Sequence, residues 1–177
     1  MGIRQSGLIT ALMIAFMGSL GCHAPVESVQ ALTPASRAAV EANVQLLMTA
    51  VAHDVTSEGP MAWRKYFAEG PEFFMAVNGQ LAFPNGQAAA QAIPQIAQNF
   101  QRIKLRWGDD LRVDVLTEDL CVVGASYTEV IELRPGVKGM PQGRQNGYFT
   151  GVAEKRDGQW RFRDAHWSLP VLPEKVP

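Results

Sequence analysis

Apolar residues recur at steps of four and three in the first third of the chain, a pattern that predicts one long amphipathic helix. The stripe consists of Val40, Val44, Leu47, Val51 and Val55. Thr33 followed by Pro34 indicates where the helix begins, because threonine caps the first turn and proline fits the first helical position. The segment 57–60 (SEGP) ends this helix, and 60–67 predicts a short second helix.

The pattern then changes to the alternation and aromatic content that are typical of strands. Segments 72–77 and 81–83 are predicted strands, joined by a turn. The PNG at 84–86 opens a third helix, which Pro94 is expected to break or restart because proline lacks the amide donor. The remaining predicted strands are 103–107, 111–117, 121–133, 146–155 and 160–168.

Helices followed by antiparallel strands predict an α+β domain, with the helices on one face of the sheet. Gly124, Gly147 and Gly151 lie inside the long strands and indicate that the sheet bends. The expected fold is a curved antiparallel sheet wrapped around N-terminal helices, cone-shaped and with an internal pocket. This domain is expected to span residues 34–172, with 173–177 as a tail.

The last two strands decide which side chains would enter the pocket. A three-residue loop from Arg156 to Gly158 would set polar residues opposite polar ones, whereas a two-residue loop would set glycines and Phe149 against them. We therefore expect the three-residue loop. The pairs in its register are Thr150–Asp164, Tyr148–His166 and Asn146–Ser168.

This register predicts a half-polar pocket with acid–base groups. His166 is the expected general base, held by Asp164 or Glu129, and Tyr148 is the expected donor to a developing oxyanion. In the alternative, Asp164 and His166 are a satisfied pair that stabilises the end of the sheet. The other expected pocket residues are Thr150, Ser168, Tyr127, Glu129, Trp63, Phe67 and Phe74.

The same register predicts an apolar patch on the outer face of the sheet, formed by Phe149, Ala153, Ala165 and Trp167. A monomer would rarely leave such a patch exposed. We therefore expect a homodimer through the outer face, with a monomer whose tail covers the patch as the alternative.

Charge and motifs favour a small-molecule ligand over a nucleic acid, a metal or a cofactor. The net charge of −1 over 177 residues argues against a nucleic-acid surface, which needs clustered Lys and Arg. The histidines lack the spacing of a zinc site, and no phosphate-loop or dinucleotide fingerprint occurs. Neither a metal nor a cofactor is expected.

Residues 1–21 have the pattern of an export signal, since Arg4 precedes an unbroken apolar run at 8–20. That run is shorter than the ~20 residues of a membrane-spanning helix. The following "SLGC" resembles a bacterial lipobox, which implies a lipid on Cys22 as the only membrane anchor, with 22–33 as a tether. The alternative is ordinary cleavage at the A-x-A-like site 22–24. Either route predicts an exported protein, membrane-anchored or periplasmic or secreted, in which Cys121 has no disulfide partner.

The helical first third, the PNG turn, "VLTEDLCVVGASYTE" (115–129) and "GYFTGVAEKRDGQWRFRDAHWS" (147–168) together resemble the nuclear-transport-factor-2-like superfamily. The similarity is greatest to its SnoaL-like bacterial domains and covers about residues 34–170. These domains commonly dimerise through the outer sheet face. Their relatives include isomerases, dehydratases, hydrolases and binding domains, so the resemblance does not imply one function. None of the active-site carboxylate sets of those enzymes is matched.

The expected function is that of an exported domain which binds a small, partly apolar molecule in a half-polar pocket. Two alternatives stay open. The first is an isomerase, dehydratase or hydrolase that uses His166 with an acidic partner. The second is a dimeric assembly module without a ligand. The sequence leaves open whether the protein is an enzyme.

Overall fold

The structure, a computed structural model, describes residues 31–170. The predicted export signal, the lipidation site at Cys22 and the tail 173–177 lie outside these residues and stay predictions. Within the described part of the chain, no helix is both long enough and apolar enough to cross a membrane.

Helix α1 spans Pro34–Glu58 and begins where the sequence predicts. Thr33 Oγ1 accepts a hydrogen bond from the Ser36 amide at 3.0 Å, which caps the first turn. The predicted stripe is buried along its whole length and includes Met48 as well. Burying a Val, Leu or Met side chain contributes about 1.5–3 kcal/mol, so this stripe holds α1 on the sheet.

A 3-10 helix, Pro60–Lys65, and helix α2, Gly86–Ala97, complete the helical layer. The prediction that Pro94 breaks or restarts the third helix is wrong, because α2 continues past Pro94 to Ala97. Ile93 is buried and Ile96 packs against the core, one on each side of the proline. This packing outweighs the hydrogen bond that proline removes.

Seven strands form one curved sheet. They are β1 (Phe74–Val77), β2 (Gln80–Phe83), β3 (Phe100–Trp107), β4 (Arg112–Thr117), β5 (Leu120–Leu133), β6 (Gly143–Arg156) and β7 (Gln159–Ser168). The order is β2-β1-β7-β6-β5-β3, and β4 pairs with the beginning of β5. Strand β1 is parallel to β7, and the other pairs are antiparallel. This arrangement confirms the predicted α+β class and the curved sheet.

The β6–β7 hairpin does not have the predicted register. Its loop consists of Asp157 and Gly158, which have φ of 51° and 77°. Two positive φ values define the type I′ turn that Asp-Gly favours in a two-residue loop. Arg156 therefore pairs with Gln159, and the three-residue loop expected from the sequence is wrong.

A β-bulge in β7 then reverses the alternation of its side chains. Ala153 pairs with Phe162, whereas Val152 pairs with Asp164, so Arg163 is the extra residue. Because successive side chains point to opposite faces, one extra residue moves every later side chain to the other face. The bulge lies at the end of a short pairing with the segment after the 3-10 helix, where the Ala68 amide donates to the Phe162 carbonyl at 2.8 Å.

Beyond the bulge, the inner and outer positions are exchanged relative to the prediction. Ala165 and Trp167 point inward and are only 1% and 8% exposed. His166 is exposed on the outer face, and the side chains of Asp164 and Ser168 lie on the same face.

The predicted outer patch is therefore part of the core. Its four residues, Phe149, Ala153, Ala165 and Trp167, are all buried. The homodimer itself stays a prediction, and this patch no longer supports it. Cys121, which the sequence leaves without a partner, is a free thiol that is fully buried, and burial raises its pKa to about 11.

Candidate ligand-binding cavity

A cavity of about 290 Å³ lies between the helical layer and the inner face of the sheet. Its lining is mostly apolar and comes from the 3-10 helix, α2, six of the strands and the loops beside them. The lining residues are Pro60, Trp63, Phe67, Met75, Val77, Asn78, Phe83, Ile93, Ile96, Phe100, Ile103, Tyr127, Glu129, Ile131, Met140, Pro141, Gln145, Trp167 and Leu169.

Four aromatic side chains, Phe67, Trp63, Trp167 and Tyr127, form a continuous surface that we call the aromatic wall. Phe67 stacks on Trp63 with ring centroids 5.2 Å apart. Trp63 meets Trp167 edge to face at 5.2 Å, and Trp167 meets Tyr127 edge to face at 4.7 Å. Each such pair adds about 0.5–1.5 kcal/mol beyond burial, so the wall holds its shape.

The polar side chains of the lining are Asn78, Tyr127, Glu129 and Gln145, apart from the indole groups. Asn78 is held at both ends. Its backbone N–H donates to the Trp167 carbonyl at 2.9 Å, and its side-chain Oδ1 accepts from the Leu169 backbone N–H at 2.8 Å. Gln145 Nε2 donates to the Gln142 carbonyl at 3.2 Å. These contacts fix where a ligand would meet a polar group.

Glu129 is the one charged residue among the described residues that line the cavity. In the sheet it lies between Leu105 of β3 and Gln145 of β6. No ion pair or hydrogen bond to its carboxyl is present within residues 31–170. Burial alone raises the pKa of Glu129 to about 7. This carboxyl can therefore gain or lose a proton near neutral pH.

Tyr127 lies two residues before Glu129 on the same face of β5 and packs against Gly147 of β6. A Cβ at Gly147 would lie only 2.6 Å from the Tyr127 hydroxyl oxygen and 2.1 Å from the Ser168 carbonyl oxygen, so this close approach requires glycine. Burial, together with the nearby Glu129 charge, raises the pKa of Tyr127 to about 12. The phenol is thus a hydrogen-bond donor at neutral pH.

The structure brings together four of the predicted pocket residues, Trp63, Phe67, Tyr127 and Glu129, which all line the cavity. The other six lie on the opposite face of the sheet, and their predicted place in the pocket is wrong. These six are Phe74, Tyr148, Thr150, Asp164, His166 and Ser168. Phe74 and Tyr148 are 44% and 42% exposed there, because Met75 and Phe149 take the inward positions next to them.

Asp164 and His166 form no acid–base pair with each other. Within the described residues, no hydrogen bond or ion pair joins the two side chains, and His166 is exposed. Burial raises the pKa of Asp164 on the outer face. Ser168 Oγ donates to the Tyr148 carbonyl at 3.1 Å and so contributes to the strand pairing. We assign none of these groups to the cavity.

Trp167, Asn78 and Gln145 are cavity residues that the sequence analysis missed. The Asp-Gly turn was a usable signal for the two-residue loop, but nothing in the sequence marks the bulge that turns Trp167 inward. Asn78 has a φ of 50°, and its Asn-Gly sequence indicated only a turn.

Comparisons with known proteins identify the fold. No protein-family model and no curated protein matches the chain. A solved structure named "Putative Scytalone Dehydratase" from Novosphingobium aromaticivorans has a TM-score of 0.65 at 15% identity, covering 78% of this chain and 89% of that one. A nuclear transport factor 2 (NTF2-like) superfamily protein from Salmonella enterica has a TM-score of 0.64 at 13% identity, covering 79% and 97%.

A third similar structure is the hexachlorocyclohexane dehydrochlorinase LinA-type3 from Novosphingobium barchaimii. Its TM-score is 0.60 at 15% identity, and 78% of this chain and 92% of that chain are covered. Together these likenesses show the nuclear-transport-factor-2-like fold that the sequence resemblance implies. At such identities they show the fold alone, and a protein of unknown function from Shewanella oneidensis shares it.

Proposed function

We propose that this domain binds a small, mostly apolar molecule in the cavity. The proposal is carried by one observation, the mostly apolar cavity with its aromatic wall and few polar groups. Such a lining is typical of small-molecule sites. An engineered apolar cavity of about 150 Å³ holds benzene, so about 290 Å³ is enough for a larger hydrocarbon body.

A direct test uses cyclohexylmethanol, a neutral molecule with a compact apolar body and one hydroxyl. We expect it to bind with a Kd on the order of 0.1–1 mM by titration calorimetry. Ile96→Trp should abolish binding, because Ile96 lines the cavity and the larger side chain would fill it. Leu46→Trp is the matched control, since Leu46 is 67% exposed on α1.

Equal binding to the wild type and to both variants would place the ligand outside the cavity and contradict the proposal. Absence of binding to the folded wild type, both of this alcohol and of a charged molecule with the same hydrocarbon body, would contradict it as well, as long as circular dichroism shows that the protein is folded.

A second candidate function is acid–base catalysis by Glu129, and the raised pKa of this carboxyl favours it. A carboxylate with a pKa of about 7 in apolar surroundings is a stronger base than a solvated one and is half ionised at neutral pH. The neutral phenol of Tyr127 could donate a hydrogen bond to a developing negative charge. In this candidate Glu129 replaces His166 as the catalytic group.

The probe 5-nitrobenzisoxazole tests this chemistry without knowledge of the natural substrate. A carboxylate removes its C3 proton while the ring N–O bond breaks, and the product is a coloured cyanophenolate. We expect the rate to rise with pH up to a plateau above about pH 7 and to fall at least tenfold, that is by about 1.4 kcal/mol, in Glu129→Gln. Glu118→Gln, in the exposed β4–β5 turn, should have no effect. An unchanged rate in Glu129→Gln would exclude this candidate.

A further inference from the structure

The described lining of the cavity contains an acidic side chain but no basic one. Among the described lining residues, Glu129 carries a carboxyl, and none is Lys, Arg or His. Glu129 is half-buried, and a charge without a partner in such a place loses part of its hydration without compensation. Since no basic group of the described chain reaches this carboxyl, a ligand could supply the missing partner.

The aromatic wall leads to this carboxyl. Tyr127 is the last ring of the wall and lies two residues from Glu129 on the same face of β5, about 7 Å along the strand. The faces of Trp and Tyr rings attract cations, and they do so most strongly where water is excluded. Trp63, Trp167 and Tyr127 all contribute to the lining. A positive group beside Glu129 would thus meet both a carboxylate and aromatic rings.

We propose that the ligand is a small hydrophobic monocation, an amine whose ammonium group pairs with Glu129 and whose hydrocarbon body lies against the aromatic wall. This inference rests on the proposed function, because it assigns the charge class of a molecule bound in the same cavity. A neutral ligand would instead accept or donate a hydrogen bond at a protonated Glu129.

The pH dependence of amine binding follows from the groups that face the cavity. The titratable side chains of the described lining are Glu129 and Tyr127, both on β5. The 3-10 helix, α2 and the other lining strands contribute none. An ammonium pairs with the ionised carboxylate, so the affinity for an amine should increase as the pH rises through about 7. The affinity for a neutral molecule should lack this increase.

The experiment compares cyclohexylmethylamine with cyclohexylmethanol, which share one hydrocarbon body and differ in the charged group. At about pH 8.5, we expect calorimetry to give an affinity at least about tenfold higher for the amine. This preference should decline at about pH 6. In Glu129→Gln both molecules should bind with similar affinity, and the control Glu118→Gln should keep the preference.

The outcomes separate this inference from the proposed function. If the alcohol binds as tightly as the amine, or more tightly, the monocation is excluded while the binding function stands. If neither molecule binds to the folded protein, both proposals fail. If Glu129→Gln does not fold, the two affinities are measured as a function of pH in the wild-type protein. A preference for the amine that does not change with pH would overturn the role of Glu129.

Discussion

The pKa of Glu129 is raised by the apolar surroundings of its carboxyl and not by a neighbouring charge. The apolar lining keeps part of the surrounding water from its half-buried carboxyl, and the ionised form loses more hydration by this than the protonated form. The folded protein therefore retains a proton up to about pH 7, whereas the unfolded chain releases it near the ordinary pKa of 4.5. By linkage, the free energy of unfolding must fall as the pH rises between these two values.

Replacement of Glu129 by Gln should stabilise the protein above neutral pH. Glutamine stays neutral at every pH, so the variant avoids the cost of burying a carboxylate. In urea unfolding at about pH 8, we expect the variant to be more stable than the wild type by roughly 2–3 kcal/mol. At about pH 4.5 the two proteins should differ little, because Glu129 is then protonated in the folded wild type.

Glu118→Gln serves as the control, since Glu118 is exposed and its replacement should shift stability equally at both pH values. A difference between wild type and Glu129→Gln that is the same at both pH values would show that burial does not perturb this carboxyl.

Asp54 connects α1 to the 3-10 helix and the residue after it through side-chain hydrogen bonds. Hydrogen bonds from His53, Lys65 and Tyr66 hold the pKa of Asp54 well below its usual range. The Lys65 Nζ and Tyr66 hydroxyl donors lie 2.9 and 2.8 Å from Asp54 Oδ2. Because the 3-10 helix carries Trp63, this polar cluster also positions the aromatic wall.

The β6–β7 turn sets the register of the hairpin, and Gly158 is where it can be tested. Its φ of +77° lies in the left-handed region, and a Cβ there would meet no atom within 4 Å, so strain is the only cost of a side chain. Gly158→Ala should lower the free energy of unfolding by about 1–2 kcal/mol. Gly158→Asn should lower it by less than about 1 kcal/mol, because asparagine tolerates this conformation better.

Urea unfolding of the two variants side by side measures this difference. Equal losses would argue against a left-handed Gly158 and hence against the two-residue loop that begins the observed register.

The cavity exists because the helices cover the inner face of the sheet unevenly. Helix α1 packs on β3 and β4, whereas α2 packs on the 3-10 helix and β2. Between these two contacts no helix covers the inner face of β1, β5 and β7, and side chains of these strands line the cavity there. Export with a lipid on Cys22 and assembly as a homodimer stay predictions.

Local patterns in the sequence are enough to predict most helices and strands of this protein. The stripe from Val40 to Val55, the cap at Thr33 and the alternation in the strands are local patterns, and local physics is enough to interpret them. Through these patterns the sequence also indicated that Trp63 and Tyr127 face inward. The resemblance to known domains added the fold that the similar structures show.

The face of β7 that enters the cavity depends on a contact between distant parts of the chain. The bulge at Arg163 lies next to the pairing of β7 with residues 66–68, almost a hundred positions away in sequence, and no local pattern reports such a contact. Because of this one extra residue, Trp167 and not His166 points toward the cavity. The raised pKa of Glu129 has the same origin, because it arises from the apolar side chains that the fold brings around this carboxyl and not from its neighbours along β5.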